Sequence, residues 1–371
     1  MKHWECYECE YQHNGETPPP HCPVCGADGD QFIETNPSEL DQYDKKLLNL
    51  LQWSFPVVER PFANLGAELG LDEAVIIGRV KRMKSSAIRQ ISAIFDSRSL
   101  GYKSTLVAMK FDPDRVDAGA AVINRHPGVS HNYRRNHAFN LWFTLTLHRS
   151  QSLESEVDRL KSESGAEKSL LLPTLRLFKI GVKLDVTGEQ DAARQEEGPI
   201  ISGIRSAQDL TRDEIAAVRV LQRDMPIVER PFQALAAKYG IPQDVLFAYA
   251  ADFQKRGIMR RFSAVLRHRN AGFSANAMGV WIVPEEKLED VGSLIARYAS
   301  VSHCYQRPSY PPDWPYNLFS MVHGRTTGDC ETVLGEISKK TGIENFTMLY
   351  STKEYKKVRV KYFPDGFNPS N

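Results

Sequence analysis

The chain carries the same pattern twice. PVVERPFANLGAELGL at 56–71 returns as PIVERPFQALAAKYGI at 226–241, and SAIFDSRSLGY at 92–102 returns as SAVLRHRNAGF at 263–273. VSHNY at 129–133 returns as VSHCY at 301–305, and Asn140-Leu141 as Asn317-Leu318. The matches keep their order, so the chain is a tandem duplication and its two copies must fold as two similar units. A length of 371 residues gives each copy room for its own core.

Each copy reads the same way. In the first, Ser38 is placed to cap an apolar-periodic helix over about 38–54. A second helix over about 61–69 ends at Gly70, and a third covers about 72–84. Two short strands, AIRQISAIFD and LGYKST, complete a winged helix-turn-helix. Strand KSTLVAMKFD, helix DPDRVDAGAAVINRHP, a strand pair in VSHNYRRNHAFNLWFTLTLH, helix LESEVDRLKSESG and strand LLLPTLRLFKIGVKLD follow. That βαββαβ order is the ferredoxin-like plan. The fold class expected is therefore α+β. The domains expected are a metal knuckle at 1–36, winged helix-turn-helix 1 at 37–100, ferredoxin-like domain 1 at 101–186 and a polar linker at 187–208. Winged helix-turn-helix 2 at 209–271 and ferredoxin-like domain 2 at 272–371 complete the order. Ferredoxin-like halves associate through their sheets, so an internal pseudo-dimer is expected, with room for further self-association.

Four of the six cysteines crowd the first 25 residues as C-x2-C-x12-C-x2-C: Cys6, Cys9, Cys22 and Cys25. Two such turns each present two thiolates to one tetrahedral ion. Clustered cysteines of this kind mark a metal site in a reducing compartment rather than a disulfide framework. A tetrahedral sulfur site suits zinc or iron. The segment resembles the rubredoxin-like domain of rubrerythrins in Trp4, the four cysteines, Tyr11, the G-E-x-P-P run, Gly26 and Phe32. That resemblance implies a single iron, and with it electron transfer to a redox partner. The competing role is a small structural clip. No organic cofactor is expected.

The bulk chemistry excludes some classes. A net charge of +1 leaves no global footprint for nucleic acid. No apolar run reaches the length of about 20 residues that a membrane span needs. The N-terminal MKHWECYECEY has no apolar signal region, so a cytoplasmic location is the expectation.

The two VSH-x-Y sites carry the functional argument. On a strand with period two, His131, Tyr133 and Arg135 share one face, as do His303, Tyr305 and Arg307. A histidine and an arginine on one face can meet a large, flat, acidic ligand. Arg134 is a further cation beside the first site, and Arg89, Arg260 and Arg261 precede strands near the same domain junction. His323 and His137 are second-choice histidines, Trp314 and the two tyrosines are placed to line the ligand face, and Trp142 is assigned to the core.

VSHNYRRNHAFNLWFTL and VSHCYQRPSYPPDWPYNLFSMVHG resemble the signatures of the two halves of siroheme decarboxylases, and the two P-V/I-V-E-R-P-F segments fit that family as well. The resemblance spans about residues 40–363 and implies an Lrp/AsnC-type architecture with both halves fused. It implies an activity too: loss of CO2 from the ring C and ring D acetates of siroheme to give 12,18-didecarboxysiroheme, in alternative heme or modified-heme synthesis. Siroheme is then the substrate.

Arginine forks suit carboxylates. A tight pair on the departing carboxylate would stabilise the ground state and slow the reaction. Arginines are therefore assigned to the carboxylates that stay. The macrocycle takes up the electrons released, and a histidine supplies the proton or ligates the iron. His303, His131 and His323 are the catalytic candidates, with the longer signature favouring repeat two. The alternative is an Lrp/AsnC-type DNA-binding transcription regulator, with heme sensing as an optional role. Helix three of repeat one offers Arg79, Lys81, Arg82 and Lys84, whereas its counterpart DVLFAYAADFQKRG is apolar with cations only at its end.

Overall fold

The computed structural model describes residues 2–6, 12–23, 26–34, 40–53, 55–180, 206–266, 275–324 and 326–364. Ser38, Cys9, Cys25 and most of the expected linker lie outside the described residues.

The N-terminal segment forms β1 (Lys2–Cys6), β2 (Gln12–Gly15) and β3 (Phe32–Glu34), a small sheet in the order β2-β1-β3. Repeat one follows with α1 (Gln42–Trp53), α2 (Pro61–Leu69) and α3 (Glu73–Lys84). Repeat two forms the matching α6 (Arg212–Leu221), α7 (Pro231–Tyr239) and α8 (Gln243–Lys255); α4 and α5 lie between, in repeat one's sheet domain. The duplicated motif explains the second helix of each trio. Pro61 and Pro231 sit in its first turn, where their missing N–H costs nothing. Gly70 and Gly240 close it at φ 68°, a left-handed conformation open to glycine.

The expected wing does not form within a repeat. β4 (Ile88–Phe95) pairs antiparallel with β10 (Met259–Leu266), its counterpart in the other copy, and Ser92 faces Ser263. LGYKST instead begins in a turn and runs into a strand of the ferredoxin-like sheet. Equivalent residues facing one another mark a local twofold axis. The helices of both repeats consequently share one core, including Leu47, Phe62, Ile91, Phe232, Phe253 and Phe262.

The ferredoxin-like halves follow the predicted order. Repeat one has β5 (Tyr102–Lys110), α4 (Val116–Asn124), β6 (Val129–Arg135), β7 (Leu141–His148), α5 (Leu153–Ser164) and β8 (Lys168–Pro173). Repeat two has β11 (Ala275–Trp281), α9 (Leu288–Ala296), β12 (Val301–Gln306), β13 (Leu318–Gly324), α10 (Thr327–Thr341) and β14 (Phe346–Lys357). The single strand expected at the end of repeat one is broken after Pro173. Its continuation β9 (Arg176–Ile180) leaves its own sheet and pairs with β12 of the other repeat. β14 does the same in one piece: its first half pairs with β11, its second with β6.

The strand order β8-β5-β7-β6-β14-β11-β13-β12-β9 therefore joins both halves into one continuous sheet system, whose two ends are adjacent pieces of one strand. Exchange of last strands covers the edge strands β6 and β12, which would otherwise expose unpaired backbone. Helices cover the outer faces, with cores such as Val107, Phe143 and Leu160, or Trp281, Ile295 and Leu334. Between the inner faces lie Trp142, Trp314, Phe139, Val280, Phe319 and Leu349.

Candidate active site

The two histidines stand on the covered edge strands, each beside a bulge. Pairing of β6 with β7 steps from Val129↔Leu145 to His131↔Thr144, so Ser130 is the extra residue. Pairing of β12 with β13 steps from Val301↔Val322 to His303↔Met321, so Ser302 is the extra residue there. A bulge re-aims neighbouring side chains that would otherwise point to opposite faces. The serine and the histidine thus meet: Ser130 Oγ lies 2.9 Å from His131 Nδ1, and Ser302 Oγ lies 2.7 Å from His303 Nδ1.

Beyond the bulge the expected period holds. His131 stacks near Tyr133 at 6.3 Å between ring centres, and the Arg135 guanidinium lies 5.8 Å from the Tyr133 ring. In repeat two, His303 and Tyr305 are 5.8 Å apart, and Arg307 lies 4.8 Å from the Tyr305 ring. The alternate residues face the helices: Asn132 donates to Asn124 Oδ1 on α4, and Cys304 Sγ contacts the Gly292 carbonyl on α9. Arg134 also leaves the histidine face, donating to the Pro113 carbonyl.

The two aligned arginines are buried. Arg135 donates to the Leu349 carbonyl at 3.0 Å, and Arg307 donates to the Leu172 carbonyl. Burial pushes both guanidinium groups down to about 10. Arg135 thus bonds to β14, which crosses from repeat two, and Arg307 bonds to β8 of repeat one, just before the chain crosses as β9. Tyr305 is pushed up to about 12 by burial, opposed by the positive fields of Arg307, Arg260 and Arg98. Repeat two therefore gathers His303, Tyr305 and Arg307, with Arg260 and Arg98 near enough for their charge to be felt at Tyr305. Arg98, in the repeat-one turn after β4, was not singled out from the sequence. Arg260 is held by Asp96 at 2.6 Å.

The other candidates are placed as follows. His323 joins the His303 cluster: its Nε2 lies 2.6 Å from Ser302 Oγ and its Nδ1 2.5 Å from Asn276 Oδ1. Arg261 covers the Trp53 ring at 4.4 Å. Trp314 is fully buried between the sheets, 5.1 Å from Trp142 and 5.3 Å from His137. Arg89 donates to the Lys357 carbonyl at 3.0 Å, beside the point where Lys357 faces His131. It also lines a pocket of about 390 Å³ with Arg219, Arg223, Lys238, Arg359 and Lys361. Asp224 is the one carboxylate among the described residues of that wall, and it is taken by Lys84 and the Ile91 amide.

In the knuckle, Cys6 and Cys22 are buried together with Phe32. Gly26 donates to the Cys22 carbonyl at 2.9 Å, closing the second cysteine turn at φ 76°. Trp4 Nε1 donates to the Gly15 carbonyl. Two of the four thiols thus lie in one small core, and Cys9 and Cys25 fall outside the described residues. Among the described residues no group of three or more metal-type ligands lies together. Val358 packs against this core, and its N–H donates to the Ser130 carbonyl at 2.7 Å. The knuckle is thereby seated beside the His131 strand.

The chain thus joins two helix-turn-helix and ferredoxin-like repeats, with a histidine and a tyrosine aligned on each covered edge strand, β6 and β12. Residues 44–88 and 214–260 match the siroheme decarboxylase NirDL-like HTH domain, and residues 99–179 and 270–356 match the AsnC-like ligand binding domain. Residues 4–33 match the rubredoxin-like domain of rubrerythrin. The chain is 40% identical to a siroheme decarboxylase of Hydrogenobacter thermophilus over 88% of its own length and 96% of that protein. It is 31% identical to the siroheme decarboxylase NirDL subunit of Paracoccus denitrificans over 80% and 89% of the two chains. A crystal structure of the siroheme decarboxylase NirDL superposes with a TM-score of 0.68 at 35% identity, covering 87% of this chain and 94% of that one. A second, in complex with an iron-uroporphyrin III analogue, gives a TM-score of 0.67 at 34% identity over 87% of this chain and 94% of that one. The chain belongs to the siroheme decarboxylase family.

Proposed function

We propose that this protein removes CO2 from the ring C and ring D acetate groups of siroheme, giving 12,18-didecarboxysiroheme for alternative heme or modified-heme synthesis. The observation that carries this reading is the duplicated bulge, which aligns a Ser–His–Tyr set on each covered edge strand in a chain of this family. His303 is the proton donor of choice and His131 its counterpart. Arg260 and Arg98 supply the positive field around Tyr305. Arg307 and Arg135 act by holding the tyrosines and the crossing strands in place. Loss of CO2 leaves an electron pair on carbon that the macrocycle delocalises, so the protein must exclude water and deliver one proton.

The cation-lined pocket beside Arg89 supports a second placement of the macrocycle's carboxylates, at the repeat-one end. Anaerobic incubation with siroheme, followed by mass spectrometry, tests both. Two successive losses of CO2 are expected from the wild type. Loss of turnover in His303→Ala but not in His131→Ala places the chemistry in repeat two, and the reverse places it in repeat one. Intact siroheme bound to folded wild-type protein sinks the decarboxylase reading.

The knuckle is assigned one iron held by Cys6, Cys9, Cys22 and Cys25. Bound there, iron supplies one-electron chemistry, and its seat beside Ser130 supports a redox role toward the repeat-one end. Decarboxylation consumes no electrons, so the knuckle stands outside the bond-breaking step. Specific DNA binding is disfavoured by α3, where Arg79 and Arg82 are tied to Asp44 and Lys84 to Asp224. No helix of the described residues is long and apolar enough to cross a membrane.

A further inference from the structure

The histidine clusters of the two repeats are not equivalent. The difference lies one strand away from the bulge. In repeat two the His323 amide donates to the Ser300 carbonyl at 2.9 Å; in repeat one the Thr146 amide donates to the Gly128 carbonyl at 2.9 Å. His323 faces Asn276 across β11 and β13, and Thr146 faces Ser104 across β5 and β7. Thr146 and Ser104 are thus the repeat-one counterparts of His323 and Asn276. The repeat-one pair closes on itself, Thr146 Oγ1 donating to Ser104 Oγ at 3.0 Å. The repeat-two pair instead extends to the bulge serine and through it to His303.

We propose that His323, oriented by Asn276, and Ser302 form a proton wire that delivers the proton to His303, and that this wire makes repeat two the decarboxylating half. The proposal rests on the decarboxylase reading above. The contacts are consecutive: 2.5 Å from Asn276 Oδ1 to His323 Nδ1, 2.6 Å from His323 Nε2 to Ser302 Oγ, and 2.7 Å from Ser302 Oγ to His303 Nδ1. Ser302 Oγ also reaches the Met321 carbonyl at 3.4 Å, a distance too long to compete with the two imidazoles. Ser302 is buried, His303 and His323 are both half-buried and Asn276 is exposed, so the wire begins at solvent and passes through a buried hydroxyl.

The transfer balances. The bond between the acetate methylene and its carboxyl carbon breaks, CO2 departs and the electron pair stays on the methylene carbon. That carbon takes the proton from His303 Nε2. His303 Nδ1 takes the Ser302 hydroxyl proton, and Ser302 Oγ takes the Nε2 proton of the His323 imidazolium. His323 ends neutral, its Nδ1–H held by the Asn276 amide oxygen; before the next turnover water returns a proton to its Nε2, and His303 resets its proton from Nδ1 to Nε2. A hydroxyl suits the middle position because it donates and accepts at once. Asn276 Oδ1 accepts only, so it fixes the proton on His323 Nδ1 and keeps Nε2 as the atom that gives one up.

The test grafts the repeat-one pair into repeat two. The double variant His323→Thr, Asn276→Ser should fold, because the same pair already stands in the same register between β5 and β7. Siroheme binding, read by absorbance titration, should stay within about twofold, while kcat falls by about 10²-fold or more, the scale of a lost general-acid path. The solvent deuterium isotope effect on kcat should rise, and added imidazole should restore part of the rate. Ser302→Ala should behave alike and Ser302→Thr should be rescued. Unchanged kcat and isotope effect in the double variant overturn the wire. If the wild type does not turn siroheme over at all, the decarboxylase reading fails, and the wire is judged separately by 15N shifts of the His303 and His323 rings. Shifts that do not respond to Ser302→Ala overturn it there.

Discussion

Arg135 donates a 3.0 Å hydrogen bond to the carbonyl of Leu349, on the strand that crosses from the other repeat. Arg307 makes the mirror contact to Leu172. An arginine placed to fork onto a carboxylate instead satisfies a buried backbone acceptor, twice, at related points of the pseudo-twofold. Its structural role has a measurable consequence. Arg135→Met should lower unfolding free energy by about 1–3 kcal/mol, the cost of an orphaned buried acceptor partly offset by removing a buried charge. Urea denaturation reads the shift. A variant with wild-type stability and a raised KM would return Arg135 to direct carboxylate binding.

The exchange of strands is locked by packing as well. A Cβ added at Gly292 on α9 would stand 2.5 Å from Phe178 of the crossing β9, whereas one added at Gly335 on α10 meets nothing within 4 Å. Gly292→Ala should therefore destabilise by about 1–3 kcal/mol through overpacking. Gly335→Ala, at a half-buried helix position where the added methyl meets open space, should stabilise by about 0.4–1 kcal/mol. Thermal unfolding of the two variants side by side separates crowding from helix propensity.

Acid should weaken the inter-sheet core. Burial alone holds His137 below its ordinary value of 6.5, and its Nδ1 accepts the Phe139 amide at 3.1 Å while Trp314 packs against the ring. The folded value lies below the unfolded one, so the stability is fully present above about 6.5 and is lost as pH falls through the folded value. His126, lowered mainly by burial, acts in the same direction. Urea midpoints measured from pH 8 to pH 5 should fall below about pH 6.5, and His137→Phe should make that fall shallower.

The knuckle should behave as a separable metal unit. One metal ion per chain is expected by elemental analysis, with the visible colour of a ferric tetrathiolate if iron is bound and none if zinc is bound. Chelation or Cys6→Ser should unfold residues 2–34, because metal binding and folding are coupled in such small sites. The main unfolding transition should move by less than about 1 kcal/mol, since Val358 is a single contact at the margin of the core. A large shift would make the knuckle part of the catalytic body.

Much of this protein is written in its sequence. The repeated V-E-R-P-F segment fixes a helix start by proline and its end by glycine, both local backbone effects. The βαββαβ order follows from hydrophobic periodicity, and the paired CxxC turns announce a metal. The shared face of His131, Tyr133 and Arg135 follows from the period of a strand. What the sequence left open are contacts between residues far apart in the chain. Pairing of β4 with β10, and of β14 with β6, joins segments from different repeats, and no local preference distinguishes a wing from a swapped strand. The bulges at Ser130 and Ser302 depend on register, which is set by the neighbouring strand. Only the folded sheet system turned two aligned arginines inward to backbone carbonyls and set His323 against Ser302, because burial and close approach are properties of the assembled layers and not of any one segment.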